Sequence, residues 1–190
     1  MKSKKLPIVI LTVLVVIGFI IGFFAGGYNT LVKAQTNVET KQADIQTQLQ
    51  RRADLIPNFV ATVKGYTKYE QETLTAVTQA RASVSKAADA ESLSQASDQL
   101  DKAISVWVNA VTEAYPELKA NSNYIALQDE LAGTENRIAV ARKDYNEAVQ
   151  SYNTMIKTFP KNILAGMFNF EKAAFFAASD EAQTVPNVEF

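Results

Sequence analysis

The sequence predicts an all-α protein in which an N-terminal transmembrane helix is followed by an elongated antiparallel helical bundle of three long helices plus a short C-terminal helical segment. Three observations carry this. No charged side chain occurs from Leu6 to Val32. Beyond Tyr28, apolar residues recur at steps of three, four and seven, the period of helices with one buried face. No run alternates apolar and polar residues as a half-buried strand would.

The chain divides into a short basic tail (1–5), a membrane anchor (6–27), a bundle domain (28–178) and a frayed C-terminal tail (179–190). Within the anchor, 14 of the 17 residues from Ile8 to Phe24 are Ile, Val, Leu or Phe. At their usual transfer energies these favour insertion by on the order of 4–8 kcal/mol. The uncharged stretch exceeds the ~20 residues needed to cross a bilayer, and it is longer than the apolar part of a cleaved leader. Pro7 falls in the first turn, where its missing N–H costs little. Lys2, Lys4 and Lys5 place the N-terminus in the cytoplasm by the positive-inside rule, although Lys33, Lys41, Arg51 and Arg52 follow on the other flank. Gly18, Gly22 and Gly26 share one helical face, a spacing that lets two anchors approach closely and form a homo-oligomer.

The first bundle helix presents Leu31, Val38, Ile45, Arg52, Phe59 and Tyr66 at seven-residue steps. A second row reads Gln35, Gln42, Leu49, Ile56 and Val63. Pro57 predicts a kink, after which Leu74, Val77, Arg81 and Val84 extend the stripe to about Lys86. Ala87–Glu91 reads as a turn, with Ser92 as the cap of a second helix. That helix buries Leu93, Ala96, Leu100, Ala103, Ile104, Trp107, Ala110 and Val111, and ends before Pro116. The last long helix starts near Asn121–Asn123. Its large row is Tyr124, Leu131, Ile138, Tyr145, Tyr152 and Phe159, and the small companion row is Leu127, Thr134, Ala141, Ala148 and Met155. Pro160 ends it. The following segment carries Ile163, Leu164, Met167, Phe168, Phe170, Phe175 and Phe176, too short to span a bilayer. It either packs over the open end of the bundle or meets the membrane or a partner.

Composition removes several kinds of chemistry. The chain has no cysteine and no histidine, so thiol catalysis, the usual zinc sites and Ser-His-Asp machinery cannot be built. No phosphate loop or nucleophile elbow is present. Neither a catalytic residue, a metal ligand nor a cofactor is expected. After the three N-terminal lysines are removed, 16 basic residues face 20 acidic ones, which argues against a nucleic-acid partner.

Three segments resemble the LemA family of bacterial membrane proteins: YNTLV at Tyr28, QLQRRADLIPNFVATVKGYTKYE at Gln48, and EAYPELKANSNYIALQDELAGTENRIAVARKDYNEAVQSYNTMIKTFP at Glu113. The resemblance runs from Tyr28 to about Pro160. It implies a bacterial source, an N-terminal anchor and a long helical bundle, and it brings no reaction, ligand or catalytic residue.

One polar cluster stands out beside the stripes: Arg51, Arg52, Asp54, Glu113, Glu135, Arg137 and Arg142. Such residues either bind an anion or a partner's charged helix or form mutual rim pairs contributing about 0–1 kcal/mol each. Arg52 is the sharpest case, because it occupies a core position. It must either snorkel to water or pair with a carboxylate on a facing helix, for which Glu135 and Glu113 are the candidates. The functional expectation is a membrane-tethered, non-catalytic scaffold or interaction module of the bacterial cell envelope. It would be held in the cytoplasmic membrane through residues 6–27, with its helical domain outside and bound to another envelope protein. The alternatives are an enzyme or enzyme subunit working through carboxylates and arginines, and a lipid- or cell-wall-binding module.

Overall fold

The computed structural model describes residues 5–63 and 71–177. Tyr66, most of the basic tail and residues 179–190 lie outside them. The described residues form helices and no strands. They form α1 (Lys5–Val63), α2 (Gln71–Lys86), α3 (Ala90–Ala114), a 3-10 turn (Pro116–Ala120), α4 (Ser122–Lys157) and α5 (Lys161–Met167).

The chain groups into two compact units, one of residues 1–39 with 148–173 and one of residues 40–147 with 174–190. In the first unit, α1 carries the apolar N-terminal stretch, whose side chains from Ile8 to Phe24 are exposed. That stretch is long and apolar enough to cross a membrane, and none of it is buried among the described residues. Further along, Leu31 and Val38 of α1, Val149, Tyr152 and Ile156 of α4, and Leu164 and Ala165 of α5 are buried. A Cβ at Gly27 would overlap Leu164 Cδ1, so any larger residue there requires the Leu164 side chain of α5 to shift. The Tyr28 ring lies 4.8 Å from that of Phe168 and 5.8 Å from that of Phe170. The segment after Pro160 thus packs through Leu164 and Ala165, while Ile163, Met167 and Phe168 stay exposed.

In the second unit, Ile45, Leu49, Ile56, Phe59 and Val63 of α1 are buried, as the two rows require. The Phe59 ring meets Trp107 of α3 at 4.9 Å and Tyr124 of α4 at 5.0 Å. At Pro57, where a kink is expected, the helix is not ended: α1 continues through the proline to Val63. Proline within a helix costs about 3 kcal/mol, and burial of Ala53, Ile56 and Phe59 around it offsets that. The stripe read as one helix to Lys86 is divided between α1 and α2, and α2 packs on α3. A periodic stripe marks a buried face without telling whether one helix or two supply it.

The cap of α3 is Asp89, not Ser92. Ser92 N–H donates to Asp89 Oδ1 at 2.7 Å and Asp89 N–H donates to Ser92 Oγ at 3.2 Å. These two bonds form a capping box in which serine takes the place usual for Glu or Gln; the Ser92 N–H, together with the Ser92 hydroxyl donating to the same Oδ1 at 2.7 Å, holds the Asp89 carboxyl below its usual pKa. At the start of α4, Asn121 Oδ1 accepts from the N–H groups of Asn123 and Tyr124 at 3.0 and 3.1 Å.

Along α4, Tyr124, Leu131, Ile138, Tyr145 and Tyr152 are buried with Thr134, Ala141 and Ala148. The heptad reading fails at the end, where Phe159 is 76% exposed and Ile156 is buried instead. A straight helix repeats at 3.6 residues, so a strict seven-residue row drifts off the face by ~20° per step; in addition, α4 has ended at Lys157.

Candidate functional site

Arg52 sits on the buried row of α1, seven residues from both Ile45 and Phe59, so the helix aims it inward with them. Its side chain is only 8% exposed and does not snorkel; Nη1 donates to Asp101 Oδ1 of α3 and to Glu135 Oε2 of α4. A second guanidinium completes the layer. Arg142, two turns beyond Glu135 on α4, donates to Asp101 Oδ2 at 3.3 Å and to Ser97 Oγ, and lies 3.8 Å from Asp98 Oδ1. Asp101 thus bridges two arginines from two helices. The outer face of Arg142 covers the Phe176 ring at 5.0 Å, within cation–π range.

The layer brings two guanidiniums to three carboxylates, leaving one negative charge in excess. Glu135, 42% exposed on its side chain, is the carboxylate nearest water. It lies on the rim of a cleft of about 290 Å³ between α3 and α4, whose lining also includes Arg52, Ile104, Gln128 and Leu131.

The remaining sequence candidates fall elsewhere. Arg51 and Arg137 both donate to Glu130 Oε1, at 2.9 and 2.8 Å. Asp54 accepts from Arg81 at 3.2 Å and from Gln50 at 2.9 Å. Both sets are largely exposed, where such pairs contribute about 0–1 kcal/mol. Glu113 is exposed and makes no ion pair among the described residues; the partner of Arg52 is Glu135, joined by Asp101. Around Gly18, Gly22 and Gly26 an added Cβ would meet nothing within 4 Å, so that face is uncovered among the described residues.

Sequence reasoning missed Asp98 and Asp101. The signal was there: an acidic pair three residues apart, with Asp101 directly after the buried Leu100. Among the described residues no group of three His, Cys, Asp or Glu side chains is placed to hold a metal ion.

Burial pushes the Asp101 carboxyl up to about 6, helped by Glu135 and Asp98 and opposed by Arg52 and Arg142. The unfolded chain releases this proton near 3.8. Between those values the folded state binds more protons, so this stabilisation is full below the lower pKa and is lost as pH rises through the upper one. The effect amounts to at most about 3 kcal/mol. Melting of the full chain in mild detergent, compared at pH 4.5 and 7, should therefore show a falling contribution that Asp101→Asn removes. Identical pH slopes for the two proteins would contradict a raised pKa.

Residues 41–190 match the LemA family. The chain is 30% identical over 172 residues to Protein LemA of Metamycoplasma hominis, covering 90% of this chain and 78% of that protein. It is 25% identical over 202 residues to magnetosome proteins MamQ 1 and MamQ 2 of Paramagnetospirillum magneticum, covering 93% of this chain and 74% of each relative. MamQ of Magnetospirillum gryphiswaldense is 21% identical over 78% of this chain and 64% of its own length. The matched region contains the whole charged layer, the relatives are bacterial, and the apolar stretch of α1 precedes the match: the chain belongs to the LemA family.

Proposed function

We propose that this protein is a membrane-tethered, non-catalytic scaffold of the bacterial envelope, which holds another envelope protein against its helical region. The supporting observation is the exposed, uncharged run from Ile8 to Phe24, continuous within α1 with buried packing at Leu31 and Val38. A helix of this kind attaches folded structure to a bilayer and supplies no chemistry of its own. In this reading, residues 6–27 cross the cytoplasmic membrane, the lysine-rich end stays in the cytoplasm, and the helical region lies outside.

The surface offered to the partner is the cleft between α3 and α4. Its apolar lining, which includes the partly exposed Val108 and the exposed Ala132, and its half-exposed Glu135 suit a partner carrying a basic side chain beside an apolar one. The excess negative charge of the layer favours the same partner. Some relatives bear a magnetosome name and another does not, as expected if one scaffold serves different assemblies.

Because the chain lacks cysteine, Gln128→Cys gives one probe for both points. Labelling by a membrane-impermeant maleimide in intact cells, with any outer membrane permeabilised, is the expected result. Labelling only after lysis would reverse the orientation. A benzophenone maleimide on the same residue should give a discrete adduct in intact membranes, and Glu135→Lys should abolish it. An adduct insensitive to Glu135→Lys, or none at all, would remove the cleft as the partner site.

A further inference from the structure

From Glu171 to Ala177 the chain forms neither helix nor strand, yet α4 side chains hold its backbone. Within the first unit, the Tyr152 hydroxyl donates to the Glu171 carbonyl at 2.8 Å. The Asn153 amide donates to the Ala173 carbonyl and accepts from the Ala173 N–H, both at 2.9 Å. Within the second unit the same two residue types do the same work. The Tyr145 hydroxyl donates to the Ala174 carbonyl at 2.8 Å. Asn146 donates to the Phe176 carbonyl at 3.1 Å and accepts from its N–H at 2.8 Å.

An asparagine that takes both the N–H and the C=O of one residue reads extended backbone much as a neighbouring strand would. The Tyr-Asn dipeptide recurs seven residues apart, and the residues it holds recur three apart. One side chain is also read. Phe176 is buried, its ring centroid 6.4 Å from that of Tyr145 and 5.0 Å from the Arg142 guanidinium, whereas Phe175 beside it is exposed.

We infer that each Tyr-Asn pair of α4 is a binding site for a short stretch of peptide backbone, Tyr152-Asn153 for residues 171–173 and Tyr145-Asn146 for residues 174–176, that these stretches are ligands held in cis, and that the same residues of a second copy of this chain can take their place. The segment's fit is the argument for that occupant, since every copy carries both halves of the contact. Exchange remakes in trans each bond it breaks in cis, which makes it a low-cost route to a dimer. The turn before the segment, with Asn169 in the left-handed region at φ 54°, is the hinge. Copies anchored in one membrane also meet at a raised local concentration. This contact does not depend on the proposed envelope partner.

The test uses two full-length variants carrying different tags in mild detergent. Phe176→Asp keeps the clamps and spoils the ligand; Asn146→Ala with Asn153→Ala keeps the ligand and removes the clamps. Mixed together, they should co-purify well above the level at which either pairs with its own differently tagged copy. Pairing no greater in the complementary mixture would overturn the inference, because association through the anchor is equal in all three. A labelled peptide of residues 170–177 provides a check that survives poor folding of the clamp variant. It should bind the Phe176→Asp chain about tenfold or more tighter than wild type, whose own segment competes at high effective concentration. The Phe176→Asp peptide should bind about tenfold more weakly than the native peptide. Equal binding of the two peptides, or none, would also overturn it.

Discussion

Replacing Arg52 with alanine is expected to destabilise the helical region by about 3–5 kcal/mol, the cost of removing one member of a buried ion pair. Two effects contribute. The stem of Arg52 is packed, so truncation leaves a cavity, and Asp101 keeps only Arg142 as a close partner. Arg52→Met retains most of the volume and should cost much less, so the difference between the two variants measures packing. Double-mutant cycles in the full chain, read by urea unfolding in detergent, divide the remainder. Coupling of Arg52 to Asp101 should exceed about 1 kcal/mol. Coupling to Glu135 should be smaller, because that carboxylate is half in water and its interaction is screened. Coupling to the exposed Glu113 should be zero within error. If the Asp101 cycle also gives zero, ion pairing does not hold the layer together.

Ile138→Ala should have a comparable effect through different physics. Ile138 is fully buried on α4, with the small Thr134 and Ala141 buried on the same helix. Removing its methyl and methylene groups forfeits their transfer energy and leaves a void that the helices fill only in part, costing about 2–5 kcal/mol. Lys143, five residues on, has a side chain 75% exposed and paired with Glu147 at 3.7 Å. Lys143→Ala should stay within about 0.5 kcal/mol. Equal shifts in the unfolding midpoint would mean that the buried row of α4 is misassigned.

The parts of the structure legible in the sequence are those set by local geometry. A run without charge and a row repeating every seven residues are each produced by one stretch of chain. Hence the apolar run and the rows through Ile45 and Ile138 could be read directly. Boundaries were less legible where two local signals compete. Asp89 and Ser92 both suit a cap, and the structure uses both, with Asp89 at the cap position. Phe159 continues a seven-residue row on paper, but the 3.6-residue helix and the end of α4 leave it in solvent. The Tyr-Asn clamps were invisible as such, because a repeated dipeptide has no meaning until an extended segment lies beside it.

Sequence by itself determined that this protein is all-α, that one N-terminal run is apolar enough to span a bilayer, and which faces of its helices are buried. It also determined that Arg52 needed a carboxylate, since a core position cannot hold an unpaired guanidinium cheaply. Only the tertiary structure decided which one. Several carboxylates flank the facing stripes, and the choice among them depends on how far one helix is shifted and rotated against the next. One turn, about 5.4 Å, is enough to exchange one partner for another. That shift is set by the summed packing of many side chains on several helices, so Asp101 and Glu135, rather than Glu113, came to enclose Arg52.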